Sequence, residues 1–439
     1  MATATARPAT RIAALPAGPG EGRLAQAVRF HRDPLRFLQR ARRQYGDVFT
    51  LRPAVAGPMV VFTDPDMIDE VIELPRDAGD AGAARRRIVQ MISEHSVLGA
   101  DQEEQRLTRE RLEPAFDDST LDPRRYAMTR IAEEHIERWP GGRPFRLHPR
   151  MRLIVDEIFA QLVIGVRNRN RAQALARATY RMLWTPGNPP VPPPGRYAGL
   201  LGALGGKLFD RRTVPVARIL AAEIDARRTN DGGAGAGSID VIGAMLRATP
   251  ARRTAAMVDE LVPLLMAGQE PAAAALTWIL DRLVRNPKLA EHFVSSAPDD
   301  PLRTATVREA LRLRPAVHTV ARRLTAPRAI GGYQMPAGAV VAVPIVLVHR
   351  DPGAFPDPDM FRPERFVGEE PENLPYLPFG GGPRRCLGRW LARAEIGSVI
   401  PAILRRLDLK PLSSRPERMV VRGTVLVPHR SERVLARPR

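Results

Sequence analysis

Apolar positions along this chain recur mostly at helical spacing, and stretches that alternate like strands are few and short. Asp33-Pro-Leu-Arg-Phe-Leu opens an amphipathic helix running to about Gln44, with Asp33 placed to cap it and Pro34 in its first turn. Asp47-Val-Phe-Thr-Leu51 and Met59-Val-Val-Phe62 read as two strands separated by a Gly57-Pro58 turn. Residues 101–166 keep a mostly helical period. Leu183–Gly195 carries Pro186, Pro189, Pro190, Pro192, Pro193 and Pro194, which excludes helix and predicts an extended, semi-rigid loop. Residues 229–237, which after Thr229 are only Asn, Asp, Gly and Ala, read as a flexible connector. A long helix is expected from about Arg253 to Arg285, and another over Leu302–Leu313. Ile330–Val343 has strand character, and Asp351–Pro378 is a proline-rich coil without a period. A helix follows Cys386 to about Leu407, and Met419–Val434 alternates again. There is no internal repeat. The pattern predicts a mainly α fold with small β-sheets at its margin. Residues 23–439 would form one domain behind a disordered, Ala/Pro-rich leader, residues 1–22.

Composition narrows the function. The 439 residues suffice for a large core, and the formal charge is +19. The basic residues are almost all arginine, with Lys207, Lys288 and Lys410 the only lysines, which a high-GC coding bias explains. Aromatic residues make up 5% of the chain, and the arginines are scattered, often beside Asp or Glu. That is not the interleaving of basic and stacking residues that a nucleic-acid binder uses. A single cysteine excludes a disulfide scaffold, a four-cysteine zinc site and an iron–sulfur cluster held by this chain alone, and it suits a reducing compartment. No run is long and apolar enough to span a bilayer: Leu261–Leu280 comes closest and is interrupted by Gln269, Glu270 and Pro271. The N-terminus also lacks a signal-peptide core. A cytoplasmic protein with no membrane span is the expectation.

The cysteine is where the chemistry concentrates. Cys386 follows a glycine-rich loop, Phe379-Gly-Gly-Gly-Pro-Arg-Arg, and precedes a helix. Backbone N–H groups and the helix dipole at such a mouth favour thiolate over thiol. A loop with few side chains lets that sulfur approach one face of a flat macrocycle, and cysteine thiolate is a known axial ligand of haem iron. Phe379, Gly382, Arg384, Cys386 and Gly388 spell F-x-x-G-x-R-x-C-x-G, with Ala392 beyond. This resembles the haem loop of the cytochromes P450, and the order of elements resembles that family's from about residue 30 to the end.

The resemblance implies a large helical domain with small marginal sheets around a buried haem b, ligated by Cys386. It implies a monooxygenase that activates O2 and hydroxylates or epoxidises a small hydrophobic molecule. Electrons would come singly from a separate ferredoxin and ferredoxin reductase, and the protein would be a monomer. Glu309 and Arg312, three apart on one helix, resemble the family's buried pair, joined by Arg365 from the Phe361-Arg-Pro-Glu-Arg365-Phe366 coil to hold the cysteine loop. Arg384, Arg322, Arg109 and Gln105 are the expected partners of the haem propionates. Ala267-Gly268-Gln269-Glu270-Pro271 resembles the family's oxygen-side segment A-G-x-(D/E)-T. Gly268 would let the backbone open there, Glu270 takes the acidic position, and Pro271 stands where threonine is usual.

Proline brings no hydroxyl to relay protons and no N–H to pair with the Ala267 carbonyl, so a kink is expected. Three consequences stay open. Waters held by Glu270, that carbonyl or a substrate hydroxyl carry the protons; or the chemistry depends less on the relay; or the enzyme loses peroxide. Arg384, Arg385, Arg389, Arg393, Arg405 and Arg406 would present a basic face to an acidic ferredoxin. The substrate pocket would draw on Ile88–Leu98, the proline-rich loop, Leu264, Leu265, Val317–Val320 and Gly423-Thr424. His318 is either a substrate contact or a packed histidine. A peroxide-driven haem-thiolate oxygenase and a non-enzymatic haem sensor are the competing readings.

Overall fold

The computed structural model describes residues 15–53, 57–88, 92–183, 199–230, 239–369 and 373–439. The proline-rich loop beyond Leu183 and nearly all of the connector over 229–237 lie outside the described residues. Within the expected N-terminal segment, residues 15–22 are described and touch the strand Val48–Leu51. The Ala17 carbonyl accepts from Thr50 N at 3.0 Å, and the Pro16 carbonyl from Thr50 Oγ1 at 2.6 Å. A helix that the sequence pattern did not flag, Arg23–Arg32, follows them.

Asp33 begins the next helix, Pro34–Tyr45, its side chain accepting from Arg36 N. Val48–Leu51 pairs antiparallel with Met59–Phe62, which runs parallel to Val340–Val343; Val320–Leu324 and the short edge Gly79–Asp80 complete a five-stranded sheet. Among the described residues three smaller sheets accompany it, one built from the C-terminal strands Leu407–Pro411 and Arg433–Pro438 with Phe145–Arg146.

The main core lies between helices. Ile154 and Val155 of Leu147–Ile158, Leu261, Leu265, Leu276 and Leu280 of Thr254–Val284, and Val399, Ile400 and Ile403 of Arg389–Arg406 belong to one buried cluster. The long helix continues through Pro263 and Pro271 to Val284. Each proline removes one hydrogen-bonded rung, and the packing on both sides holds the remainder in register. Thr277 spends its hydroxyl on the Ala273 carbonyl at 2.7 Å, so it does not replace the missing threonine.

Gly268 has a packing reason that sequence alone did not show. A β-carbon there would come within 2.4 Å of the Phe159 ring, which sits where Leu147–Ile158 passes into a wider π-type turn, Phe159–Ile164. Gly268→Ala is therefore expected to cost about 1–3 kcal/mol, the range for overpacking a dense core. Adding Phe159→Leu should return part of it; thermal unfolding of the single and double variants measures both.

Candidate functional site

A cavity of about 1850 Å³ opens between the long helix, the sheet and the cysteine loop. Ala267, Gly268, Glu270 and Pro271 line it from the helix, and Cys386, Gly388, Phe379, Arg384, Arg322, Arg109 and Gln105 line it from the other elements. Thirteen positions spread over nearly three hundred residues of sequence thus meet at one space, or stand beside it in the case of Gly382 and Gln269.

The cysteine loop is shaped by its glycines. Gly382 has φ +60°, and a β-carbon there would stand 2.4 Å from the Ile72 carbonyl oxygen. Only glycine fits that crossing. At Gly388, by contrast, the nearest atom to an added β-carbon is a Phe116 ring carbon at 4.0 Å, so that position is open toward the cavity. Cys386 N donates to the Phe379 carbonyl at 2.9 Å, tying off the loop just ahead of the helix Arg389–Arg406. The Cys386 side chain is exposed into the cavity while lying deep within the molecule. Burial pushes its thiol above the ordinary value, and the Gly388 N–H and the guanidiniums of Arg109, Arg85 and Arg389 pull less strongly the other way. The expected preference for thiolate at the helix mouth is thus outweighed by desolvation in the protein alone.

Behind the loop, Glu309 and Arg312 are both fully buried. Arg312 donates Nε to Glu309 Oε2 at 2.7 Å and Nη2 to Oε1 at 2.9 Å, and Arg365 Nε reaches Oε1 at 3.2 Å. The Arg312 fork also donates to the carbonyls of His349, Pro358 and Met360. His349 links this network to the loop. Its Nε2 accepts from Leu377 N at 2.7 Å, so the ring proton sits on Nδ1, which faces the Arg312 carbonyl at 3.2 Å. Burial lowers its pKa to about 3, which keeps the imidazole neutral.

On the cavity wall three guanidiniums crowd together. Arg384 Nη2 donates to the Ala100 carbonyl at 2.8 Å and pairs with Asp101, while its Nη1 is buried with no acceptor among the described residues. Burial first, and then the nearness of Arg85, hold Arg384 down at about 9 and Arg322 at about 10. Arg109 stands apart, donating to the Arg385 carbonyl at 2.7 Å, and Gln105 is engaged as acceptor by Arg76. Sequence reasoning missed Arg85 and His349. Arg85 is one of three consecutive arginines, and nothing in the sequence distinguishes it; His349 ends an apolar run, where any buried polar ring must find partners.

Glu270 is not a free acid. Arg152 donates to its Oε2, and Arg422 Nη1 lies 3.5 Å from its Oε1. Burial resists its ionisation, yet Arg152 and the other nearby cations prevail and lower it to about 2. His148 Nε2, 3.6 Å away, is too far for a hydrogen bond; burial lowers that ring to about 4, so it is neutral. The acidic position is thereby locked between the helix Leu147–Ile158 and the strand Met419–Arg422.

The cytochrome P450 family model matches residues 16–435. The chain belongs to the cytochrome P450 family. Cytochrome P450 135B1 of Mycobacterium tuberculosis is 34% identical over 444 residues, covering 96% of this chain and 91% of that protein. Cytochrome P450 135A1 of the same species is 33% identical over 427 residues, covering 95% and 94%. Among solved structures, the retinoic acid-bound cyanobacterial CYP120A1 superposes with TM-score 0.80 at 22% identity, covering 97% of this chain and all 100% of that one. The heme domain of cytochrome P450DA superposes with TM-score 0.77 at 22% identity, covering 98% and 99%. The fold is thus that of a P450. The activity is that of a haem-thiolate monooxygenase, and the cofactor is haem b. The residues present suit that group. Among the described residues, a buried guanidinium N–H without a partner and the crowding of Arg85, Arg322 and Arg384 suit a buried anion such as a haem propionate. Among the described residues, no helix is long and apolar enough to cross a membrane.

Proposed function

We propose that Cys386 supplies the axial thiolate, that Arg384 and Arg322 with Arg85 hold the propionates, and that Arg109 acts beside the cysteine. Arg109 bonds to the Arg385 carbonyl rather than facing the crowded wall, which favours that secondary place. The haem supplies the O2-activating redox chemistry when bound. The chain's own residues do the rest. The Glu309–Arg312–Arg365 network fixes the loop, Gly382 permits its crossing under Ile72, and Leu264, Val317 and Val421 give the substrate an apolar wall.

The reading is a cytoplasmic monomer that oxidises a small hydrophobic molecule with electrons from a separate ferredoxin and its reductase. The observation that carries it is the apolar cavity closed by Cys386 on one side and by the arginine wall on another. The basic side chains near the cysteine, Arg385, Arg389 and Arg393, suit an acidic electron donor. His318 is half-buried, and its ring meets Phe30 edge-on at 4.9 Å, which favours a packing role over substrate contact.

The test is turnover of a panel of apolar compounds, with NADPH, ferredoxin and reductase in one arm and hydrogen peroxide alone in the other. Product from the reductase arm, falling steeply with added salt, is expected. Equal rates with peroxide alone would favour a peroxide-driven oxygenase, to which the hydroxyl-free Pro271 is suited. No product and no ligand-induced spectral change in either arm would favour a sensor.

A further inference from the structure

Arg285 follows the last turn of the long helix and stands between two carboxyl groups. Its Nε donates to Asp281 Oδ1 at 2.5 Å, one turn back on the helix, and its Nη2 donates to Glu432 Oε1 at 3.1 Å. Those two N–H bonds lie on one edge of the guanidinium, an edge suited to both oxygens of a single carboxylate. Here it takes one oxygen from each of two. The second oxygens, Asp281 Oδ2 and Glu432 Oε2, are buried, and among the described residues neither has a hydrogen-bond partner. Asp281 is 0% exposed and Glu432 1%. Two ionised carboxylates held against one cation in this way repel each other and lack water. A single proton between them relieves both. Arg282 and Arg314 are close enough to act on the pair but donate to neither free oxygen. Glu417, just before the strand Met419–Arg422, adds a third negative charge.

Glu432 lies in the short connection between the strands Val425–Pro428 and Arg433–Pro438. There Ser431 has φ +67° and Glu432 φ +47°. Two consecutive residues with side chains hold that left-handed shape only where their surroundings fix it. The Glu432 carboxyl is one fixing contact, and the backbone supplies others. The Glu432 carbonyl accepts from Leu147 N at 2.8 Å, and the Ser431 carbonyl accepts from His148 N at 3.1 Å. These N–H groups open the helix Leu147–Ile158 and have no partner within it. The same helix carries Arg152, which holds Glu270, and Ser431 itself lines the cavity. The His148 ring turns the other way, toward Glu270.

We infer that Asp281 and Glu432 share one proton and form a pH-sensitive latch, which when protonated ties the Ser431-Glu432 turn, and through it the start of the helix Leu147–Ile158 at the cavity wall, to the long helix. Loss of the proton to a buffer base breaks one carboxyl O–H bond and leaves a second buried negative charge, which loosens the turn. Burial, then Asp281 and Glu417, push the Glu432 carboxyl up to about 7, against the weaker pull of Arg285. That value lies above the ordinary 4.5, so the closed turn keeps a proton that the opened turn gives up. The latch is therefore tightest in mild acid, weakens as pH rises from 4.5 to about 7, and changes little beyond. It is independent of what the cavity oxidises.

Two readouts on the haem-loaded protein test this without turnover. The first is deuterium exchange of the Leu147 and His148 amides, which report directly on the turn, corrected for the intrinsic effect of pH on exchange. Their protection in the wild type should fall about tenfold or more between about pH 5 and about pH 7.5, while amides over Leu276–Leu280, deep in the long helix, keep theirs. Glu432→Gln replaces the shared proton with a fixed N–H that can donate to Asp281, so its protection should be high and independent of pH. The second is infrared difference spectroscopy between the same two pH values. A protonated-carboxyl C=O component is expected in the wild type and should be missing from both Glu432→Gln and Asp281→Asn. Wild-type protection that ignores pH, or Glu432→Gln protection that follows pH as the wild type does, overturns the inference. So does an infrared component that Asp281→Asn leaves in place, since the proton would then belong to Glu432 alone. Should Glu432→Gln fail to fold, the wild-type exchange profile and the Asp281→Asn spectrum decide.

Discussion

Arg312→Ala is expected to give a protein that no longer retains haem. Arg312 makes five hydrogen bonds: two to Glu309 and one each to the carbonyls of His349, Pro358 and Met360. Truncation strands the Glu309 carboxylate, which is 0% exposed, with only Arg365 Nε at 3.2 Å and the Arg362 N–H at 2.8 Å. Breaking a buried pair in this way costs about 3–5 kcal/mol, a large part of a domain's stability. The damage falls on the chemistry because the same network reaches the cysteine loop through His349 and Leu377 N. Arg312→Lys should fail nearly as badly, since an ammonium cannot reproduce the planar fork. Haem absorbance relative to protein absorbance, with the thermal midpoint, reads both effects. An Arg312→Ala protein with full haem content and wild-type stability would show that the network is dispensable.

Glu270→Gln is expected to destabilise the protein at neutral pH by about 3 kcal/mol, from the depth of its carboxyl's shift at about 1.4 kcal/mol per pH unit. The sign follows from the direction of that shift. A carboxyl whose folded pKa lies at about 2, below its ordinary 4.5, stabilises the fold fully above pH 4.5, and the contribution fades as pH falls toward 2. The gap between wild type and Glu270→Gln should therefore be widest near neutrality and close in acid. Wild type should itself weaken as pH drops below about 6.5. Burial lowers His349 to about 3 and His148 and His318 to about 4, and protonating these rings favours the unfolded chain. Denaturant titrations across this range check the pattern. A gap independent of pH would mean that Glu270 is not held as a carboxylate by Arg152.

The helices and the family were legible because their signals are local. Asp33-Pro34 announces a helix start that the structure places at Pro34, and the long helix expected from Arg253 to Arg285 spans Thr254–Val284. The cysteine loop was legible because five fixed residues lie within ten positions. What escaped depends on approach between distant segments. Gly268 reads in the sequence as backbone freedom, whereas in space it makes room for the Phe159 ring, 109 residues away. Glu270 reads as an acid poised over the cavity, whereas Arg152 and Arg422 neutralise it from two other elements. Leader residues 15–22 look disordered by composition, yet their carbonyls at Pro16 and Ala17 both accept from Thr50.

The central claim is that Cys386 ligates haem iron as a thiolate at the wall of this cavity. The most direct measurement is the carbon monoxide difference spectrum of the dithionite-reduced protein, with Cys386→Ser beside it. The account predicts a Soret band at the red-shifted position characteristic of thiolate ligation, lost in Cys386→Ser. A band at the unshifted position in the wild type, or a red-shifted band that survives in Cys386→Ser, would contradict it.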